Sequence, residues 1–181
     1  MKKYLIGFLG GLAIAVVIGL LVCWSGVVNV SALGGPGMMD PLLQYSSARS
    51  IAHHAPAVTN PLANEPDALT VGLAHYKENC LACHGAPGVE RAEFAQGLNP
   101  RPPDLRDRAT LSASDGELFW VVSNGIGMTG MPAFSPTHDE QEIWKIIAFV
   151  RHLPVLTAAE REQLNAGRES EESHHHAEDH H

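Results

Sequence analysis

The five residues Cys80-Leu81-Ala82-Cys83-His84 constrain this chain more than any other stretch, because they form a C-x-x-C-H pattern. Residues three apart on a helix lie on one face, so the two thiols can form thioethers with two vinyl groups of one porphyrin. His84 then lies where its imidazole can bind the iron. The thioethers hold the ring in place, which makes binding by His84 an intramolecular event. The pattern therefore predicts a covalently attached haem c, whose iron carries the redox chemistry.

Two other interpretations of the cysteines compete with haem. A dithiol redox motif also reads C-x-x-C, but it belongs between a strand and a helix, and no strand pattern flanks Cys80. A zinc site needs about four ligands. The third cysteine, Cys23, lies inside an apolar run and cannot join such a site. Haem is therefore the favoured interpretation.

The N-terminal segment, residues 1–29, is predicted to be a transmembrane anchor. Lys2 and Lys3 precede an uncharged run from Tyr4 to Trp24, close to the ~20 residues that span a bilayer as a helix. The lysines predict a cytoplasmic N-terminus, with the rest of the chain on the other side. A cleaved signal peptide is the alternative, but its apolar core is usually shorter, and Val30-Ser31-Ala32 is a weak cleavage site.

Composition divides the remainder into three parts. Residues 30–65 are rich in Gly, Pro, Ser, Ala and Asn without a sustained period, which predicts a flexible linker. Residues 66–155 are expected to form a compact domain, small for an unaided core, which a buried haem would complete. Residues 156–181 are expected to form a short helix and an acidic, His-rich tail.

The compact domain is predicted to be all-α. Apolar residues recur at helical spacing, strand alternation is absent, and long loops rich in Gly and Pro separate the helices. Helix starts are expected where a capping residue precedes such a segment. The expected caps are Asp67, Ser114 with Glu117, Thr137 with Glu140, and Thr157 with Glu160.

A second axial ligand to the iron would decide whether small molecules can bind there. A methionine thioether closes the site and raises the reduction potential. Met128 and Met131 both lie in a glycine-rich loop, in which Pro132 stiffens the chain next to Met131. The residues alone favour Met131 over Met128, and they leave open that both methionines fill the core.

The combination of Cys80-Leu81-Ala82-Cys83-His84 with Thr129-Gly130-Met131-Pro132-Ala133-Phe134 resembles the single-haem class I cytochrome c family. The resemblance covers residues 66–155. It implies a small fold of about three to five helices around one haem, with His84 as the proximal and Met131 as the distal iron ligand. It also implies haem attachment on the periplasmic side of the bacterial inner (cytoplasmic) membrane, which agrees with the single-pass anchor predicted from residues 1–29.

Three further contacts are implied by the resemblance. Gly72 and Tyr76 resemble the glycine and aromatic pair at the crossing of the family's terminal helices, opposite Phe149 or, less favoured, Trp144. The carbonyl of Pro102 or Pro103 is expected to accept a hydrogen bond from the haem histidine. The chain departs from the family at Gly127, where relatives often have a basic partner for a haem propionate. The candidate substitutes are Arg101, Arg106, Arg108 and the Trp120 indole.

The charge distribution indicates the kind of partner. The formal net charge of −8 at pH 7 would repel nucleic acid and favours a basic patch on a redox partner protein, although a merely solvated surface is equally compatible. The tail residues His174, His175, His176, His180 and His181 are compatible with weak divalent metal binding, and a plain soluble tail is the simpler interpretation.

These features together predict a membrane-anchored one-electron carrier rather than an enzyme. With both axial positions filled, neither a substrate pocket nor a catalytic acid or base is required. Two alternatives are a fixed cytochrome subunit of a respiratory oxidase, reductase or dehydrogenase, and a catalytic or sensory haem protein with an open iron site.

Overall fold

The computed structural model describes residues 1–29, 31–33, 37 and 40–166. Val30 of the alternative cleavage site and the five histidines of the tail lie outside these residues. The chain divides into two units, Met1–Gly37 and Met38–His181. The first unit contains helix α1, Lys2–Ser25, which ends at Gly26 in the left-handed conformation. Its length and apolar composition are sufficient to cross a membrane, although a signal sequence would have the same properties.

Among the described residues of the second unit, helices joined by loops are the named secondary-structure elements, which confirms the prediction of an all-α fold. Its helices are α2 (Asp40–His54), α3 (Ala68–Asn79), α4 (Leu81–His84), α5 (Arg108–Ser112), α6 (Asp115–Asn124), α7 (Glu140–His152) and α8 (Ala158–Asn165). Two 3₁₀ turns lie at Glu93–Gly97 and Leu153–Val155. Among the described residues the only β-type pairing is an isolated bridge between Ala86 and Val89.

Helices α3 and α7 cross at Gly72, as the glycine and aromatic pattern predicts. A Cβ added to Gly72 would lie 2.9 Å from Phe149 Cβ and would overlap the Lys145 carbonyl oxygen. The rings of Tyr76 and Phe149, both fully buried, have centroids 5.3 Å apart. Phe149 is therefore the aromatic partner at this crossing. Trp144 instead stacks on Phe119 of α6, with centroids 4.3 Å apart.

Two of the predicted helix caps are confirmed. Ser114 with Glu117 forms a capping box at the start of α6, and Thr157 with Glu160 forms another at the start of α8. In each box the hydroxyl accepts from the third backbone N–H and the carboxylate accepts from the capping residue's N–H.

The predicted Thr137 and Glu140 cap is wrong, because α7 begins two residues later. Asp139 and Glu142 form the capping box there, with an Asp-x-x-Glu pattern that satisfies the same backbone donors. Thr137 instead donates its hydroxyl to the Phe134 carbonyl.

Asp67 occupies the predicted position before α3, but its side chain does not cap the helix. Its carboxylate instead accepts from Lys145 Nζ at 2.6 Å and so joins α3 to α7. This hydrogen bond lowers the pKa of Asp67, because it stabilises the ionised carboxylate.

The prediction of a flexible linker without secondary structure is wrong for Asp40–His54, which forms helix α2. Exposed Leu42, Leu43 and Tyr45 interrupt its apolar face, so the sequence shows no clear helical period. Such a helix depends on tertiary contacts more than on its own pattern. Those contacts are made mainly with α6.

Candidate functional site

A cavity of about 410 Å³ lies in the second unit and is lined by Cys80, Cys83, His84 and Met131. This volume is within the ~300–1,000 Å³ typical of small-molecule and cofactor sites. The structure therefore brings all four residues predicted from the sequence to one cavity. They come from three places in the chain, namely the end of α3, the single turn of α4, and the loop between α6 and α7.

His84 is held in one orientation by a backbone contact. Its Nδ1 lies 2.9 Å from the Pro103 carbonyl oxygen, so Nδ1–H donates and the ring's lone pair is on Nε2. Of the two expected prolines, Pro103 makes this contact, whereas the Pro102 carbonyl accepts from Arg91. Burial lowers the pKa of His84, although the Pro103 contact opposes the shift. The neutral imidazole with a free Nε2 lone pair is the form that binds a metal.

The two cysteines flank one helical turn at the edge of the cavity. Cys80 ends α3 and is buried, and Cys83 lies in α4 and is partly exposed. Burial, with a smaller contribution from Cys83, raises the pKa of the Cys80 thiol to about 12. Reactive dithiol pairs have a lowered thiol pKa instead. The environment of Cys80 therefore does not support the dithiol redox alternative.

A zinc site likewise has no support among the residues that the structure describes. None of their His, Cys, Asp and Glu side chains form a group of three or more placed to hold one metal ion. Cys23 belongs to the other unit of the chain and is exposed there.

The loop that carries Met131 is closed by a tight set of backbone contacts. Gly125, which ends α6, has a φ of 67°, and a Cβ there would lie 2.7 Å from the Met131 carbonyl oxygen. Ile126 N–H donates to that same oxygen at 3.2 Å. Met131 N–H donates to Thr129 Oγ1 at 3.1 Å, and the Thr129 hydroxyl donates to the Ile126 carbonyl. Only glycine can accept both this φ and this crowding.

The two methionines of this loop have different positions. Met131 is partly buried and lines the cavity. Met128 is 92% exposed and has a positive φ of 62°, at the outer turn of the loop. The geometry therefore favours Met131 over Met128 as a residue that faces a bound group.

Part of the cavity wall is apolar. It is formed by one face of α6 and one face of α7, which contribute Leu118, Val121, Val122, Ile146, Ile147 and Val150. Such a wall keeps the local dielectric low, which is one of the protein's means of tuning a bound haem.

The candidate partners for a haem propionate differ in their surroundings. Arg101 lines the cavity. Arg106 forms an ion pair with Asp104, whose pKa this hydrogen bond lowers to about 2. Trp120 stacks on His54, with ring centroids 5.9 Å apart. Arg101 is therefore the predicted candidate that the geometry favours.

Sequence reasoning missed two residues of the cavity wall, Ala48 and Ile51 of α2. Ala48 and Ile51 are three residues apart, but one such pair is too short a pattern to predict a helix in residues 30–65.

The fold and the cavity together define a small helical domain that suits a covalently attached haem. Two cysteines, a histidine fixed as its ligating tautomer and a methionine line one apolar cavity. Residues 67–150 match the family model for "Cytochrome C oxidase, cbb3-type, subunit III". No curated protein matches the chain. Over residues 67–150 the chain therefore matches a c-type cytochrome domain, which indicates electron transfer, and the apolar helix α1 precedes this region as a candidate membrane anchor.

Proposed function

We propose that this protein is a membrane-anchored one-electron carrier with one covalently bound haem c. The observation that carries the proposal is the convergence of Cys80, Cys83, His84 and Met131 on one apolar cavity. When bound, the haem iron supplies a reversible one-electron change.

Each of the four residues has a stated role in the proposal. The sulfurs of Cys80 and Cys83 form the thioethers. His84 Nε2 is the proximal iron ligand, since Nδ1 is engaged with Pro103. The Met131 sulfur is the distal ligand, held in place by the closed loop around Gly125. With both axial positions filled by side chains, electron transfer requires no substrate at the iron.

The proposed location is the bacterial inner membrane, with the cytochrome domain on the periplasmic side. Helix α1 is long and apolar enough to cross a bilayer once, and Lys2 and Lys3 favour a cytoplasmic N-terminus. The electron donor and acceptor would be redox proteins in or at that membrane. The net charge of −8 favours partners with basic docking surfaces.

Covalent attachment is tested by producing the full chain in a bacterium that attaches haem c. The denatured protein, separated on a gel, should retain a haem signal. Replacing Cys80 and Cys83 together by alanine should abolish that signal, whereas the matched variant Cys23→Ala should keep it. Haem lost from the denatured wild type, or kept by the double variant, would contradict the proposed attachment.

A second candidate function is that of a fixed cytochrome subunit in a respiratory oxidase. The family description, which names an oxidase subunit, favours this candidate. Purification in a mild detergent distinguishes the two. A free carrier elutes alone, whereas a fixed subunit elutes in a constant ratio with an oxidase.

An open iron site, as in a catalytic or sensory haem protein, predicts a different response. In that case the reduced protein would bind carbon monoxide readily at neutral pH. Ligation by Met131 predicts slow or negligible binding, with ready binding only in Met131→Ala.

A further inference from the structure

Helix α2 precedes the cytochrome domain in sequence but contributes to its cavity. The family match begins at residue 67, whereas α2 covers Asp40–His54. Ala48 and Ile51, three residues apart on one face of α2, both line the cavity. Part of the cavity wall therefore comes from outside the matched domain.

The segment from α2 to Asn60 contacts α6 at two points beyond the cavity itself. The His54 ring stacks on Trp120 at an interplanar angle of 27°. The Pro56 carbonyl lies against Gly116 so closely that a Cβ on this glycine would be 3.0 Å from the carbonyl carbon and would overlap its oxygen. Both contacts join the segment to α6.

Asn60 is the most firmly held residue of this segment. It is buried, its N–H donates to Asp115 Oδ2 at 2.9 Å, and its side-chain amide donates to the Trp144 carbonyl at 2.8 Å. Asp115 also accepts from Arg151 Nε and Nη2. The segment is thus tied to both helices that form the apolar wall of the cavity.

We propose that residues 40–60 are a strap that closes one side of the haem cavity, with Ile51 as a positioning residue that excludes water from it. This inference rests on the proposed function. An apolar side chain at the cavity lowers the local dielectric. Water admitted there would stabilise the more highly charged oxidised state, so an intact strap keeps the reduction potential high.

The test uses the full-length haem-loaded protein in detergent and compares Ile51→Asn with Leu43→Asn. Both residues lie on α2, but Leu43 is 48% exposed and does not line the cavity. Ile51→Asn should lower the ratio of reduced to oxidised protein at a fixed ambient potential about tenfold, a shift of 59 mV for a one-electron couple. Leu43→Asn should leave the ratio unchanged, and Ile51→Val should stay close to wild type.

A second variant disrupts a different contact of the strap, the packing of Gly116 against Pro56. Gly116→Ala introduces a Cβ that overlaps the Pro56 carbonyl oxygen, and Gly116 is not among the residues that line the cavity. The reduction potential should fall as in Ile51→Asn. The matched Gly97→Ala, which has open space around it, should leave the potential unchanged.

Amide hydrogen exchange provides a readout that does not depend on the haem. Amides of α2 should be protected in the wild type and exchange at least tenfold faster in Ile51→Asn and Gly116→Ala, while α7 stays protected. Unprotected α2 amides in the wild type, or a potential unmoved by both variants, would overturn the strap. Covalent haem in the wild type is the separate test of the proposed function, so haem-loaded protein with an unmoved potential overturns the strap alone.

Discussion

Gly72→Ala tests the helix crossing on which the cytochrome domain is built. The glycine lies in α3 at the point of closest approach to α7. An alanine Cβ would lie 2.9 Å from both the Lys145 carbonyl carbon and Phe149 Cβ, and it would overlap the Lys145 carbonyl oxygen. Ordinary contact begins at 3.4 Å, so relieving the overlap with the Lys145 carbonyl oxygen would require the helices to separate by about 1 Å at a close-packed interface.

The expected cost follows from the kind of atom that the new methyl group meets. Overpacking a core typically costs about 1–3 kcal/mol. Here the obstacle is backbone, which cannot rotate away as a flexible side chain can, so about 3 kcal/mol is expected. Alanine recovers about 1 kcal/mol through its higher helix propensity. The net loss should be about 2 kcal/mol, or roughly 8–16 °C in Tm for a domain of this size.

Thermal and chemical unfolding of the full-length haem-loaded protein, followed by circular dichroism of the haem band, measures this loss. Gly97→Ala is the matched control, because a Cβ there meets nothing within 4 Å. It should stay within about 1 kcal/mol of wild type. A Gly72→Ala protein as stable as the control would refute the close crossing of α3 and α7.

Three other predictions concern buried or partly buried polar contacts. Tyr76→Phe removes the hydroxyl that donates to the Gly85 carbonyl at 2.5 Å. The free energy of unfolding, measured with denaturant, should fall by about 1–3 kcal/mol, and a loss below about 0.5 kcal/mol would count against that bond. Arg151→Lys loses the paired contacts to Asp115 Oδ1 and should cost about 1–3 kcal/mol by the same measurement, because an ammonium cannot reproduce the fork. Burial alone raises the pKa of Asp115, but donation by Asn60 N–H and Arg151 outweighs it and lowers that pKa overall. Ionised Asp115 therefore stabilises the fold above roughly pH 4, and this contribution is lost as the pH falls through the lowered native pKa. Between roughly pH 6 and pH 3, wild type should lose more stability than Asp115→Asn, and parallel curves would contradict the assignment.

The residues that define the candidate site could be predicted because their pattern is local and chemically specific. The spacing of Cys80, Cys83 and His84 is set by one covalent group, so it is visible in five residues. The residues alone favour Met131 over Met128, and the resemblance to class I cytochromes strengthens that choice. The resemblance also implies that Gly72 lies opposite Phe149, where two helices distant in sequence cross. The structure brings Cys80, Cys83, His84 and Met131 to one cavity and packs Gly72 against Phe149. The roles of the four cavity residues toward a haem stay predictions.

The strap could not be predicted from its own sequence. Exposed Leu42, Leu43 and Tyr45 disrupt the pattern of α2, and the helix is stabilised by contacts with α6 that only the folded chain provides. The start of α7 was missed for a local reason. Two overlapping capping patterns are present in the sequence there, and both satisfy the same kind of backbone donor.

The absorption spectrum of the oxidised full-length protein tests the central claim most directly, because a methionine sulfur bound to ferric haem gives a characteristic charge-transfer band. The account predicts this band in the wild type and in Met128→Ala, whose side chain is exposed. It predicts loss of the band in Met131→Ala, the methionine that lines the cavity. A wild type without the band, or a Met131→Ala protein that keeps it, would contradict the proposed ligation.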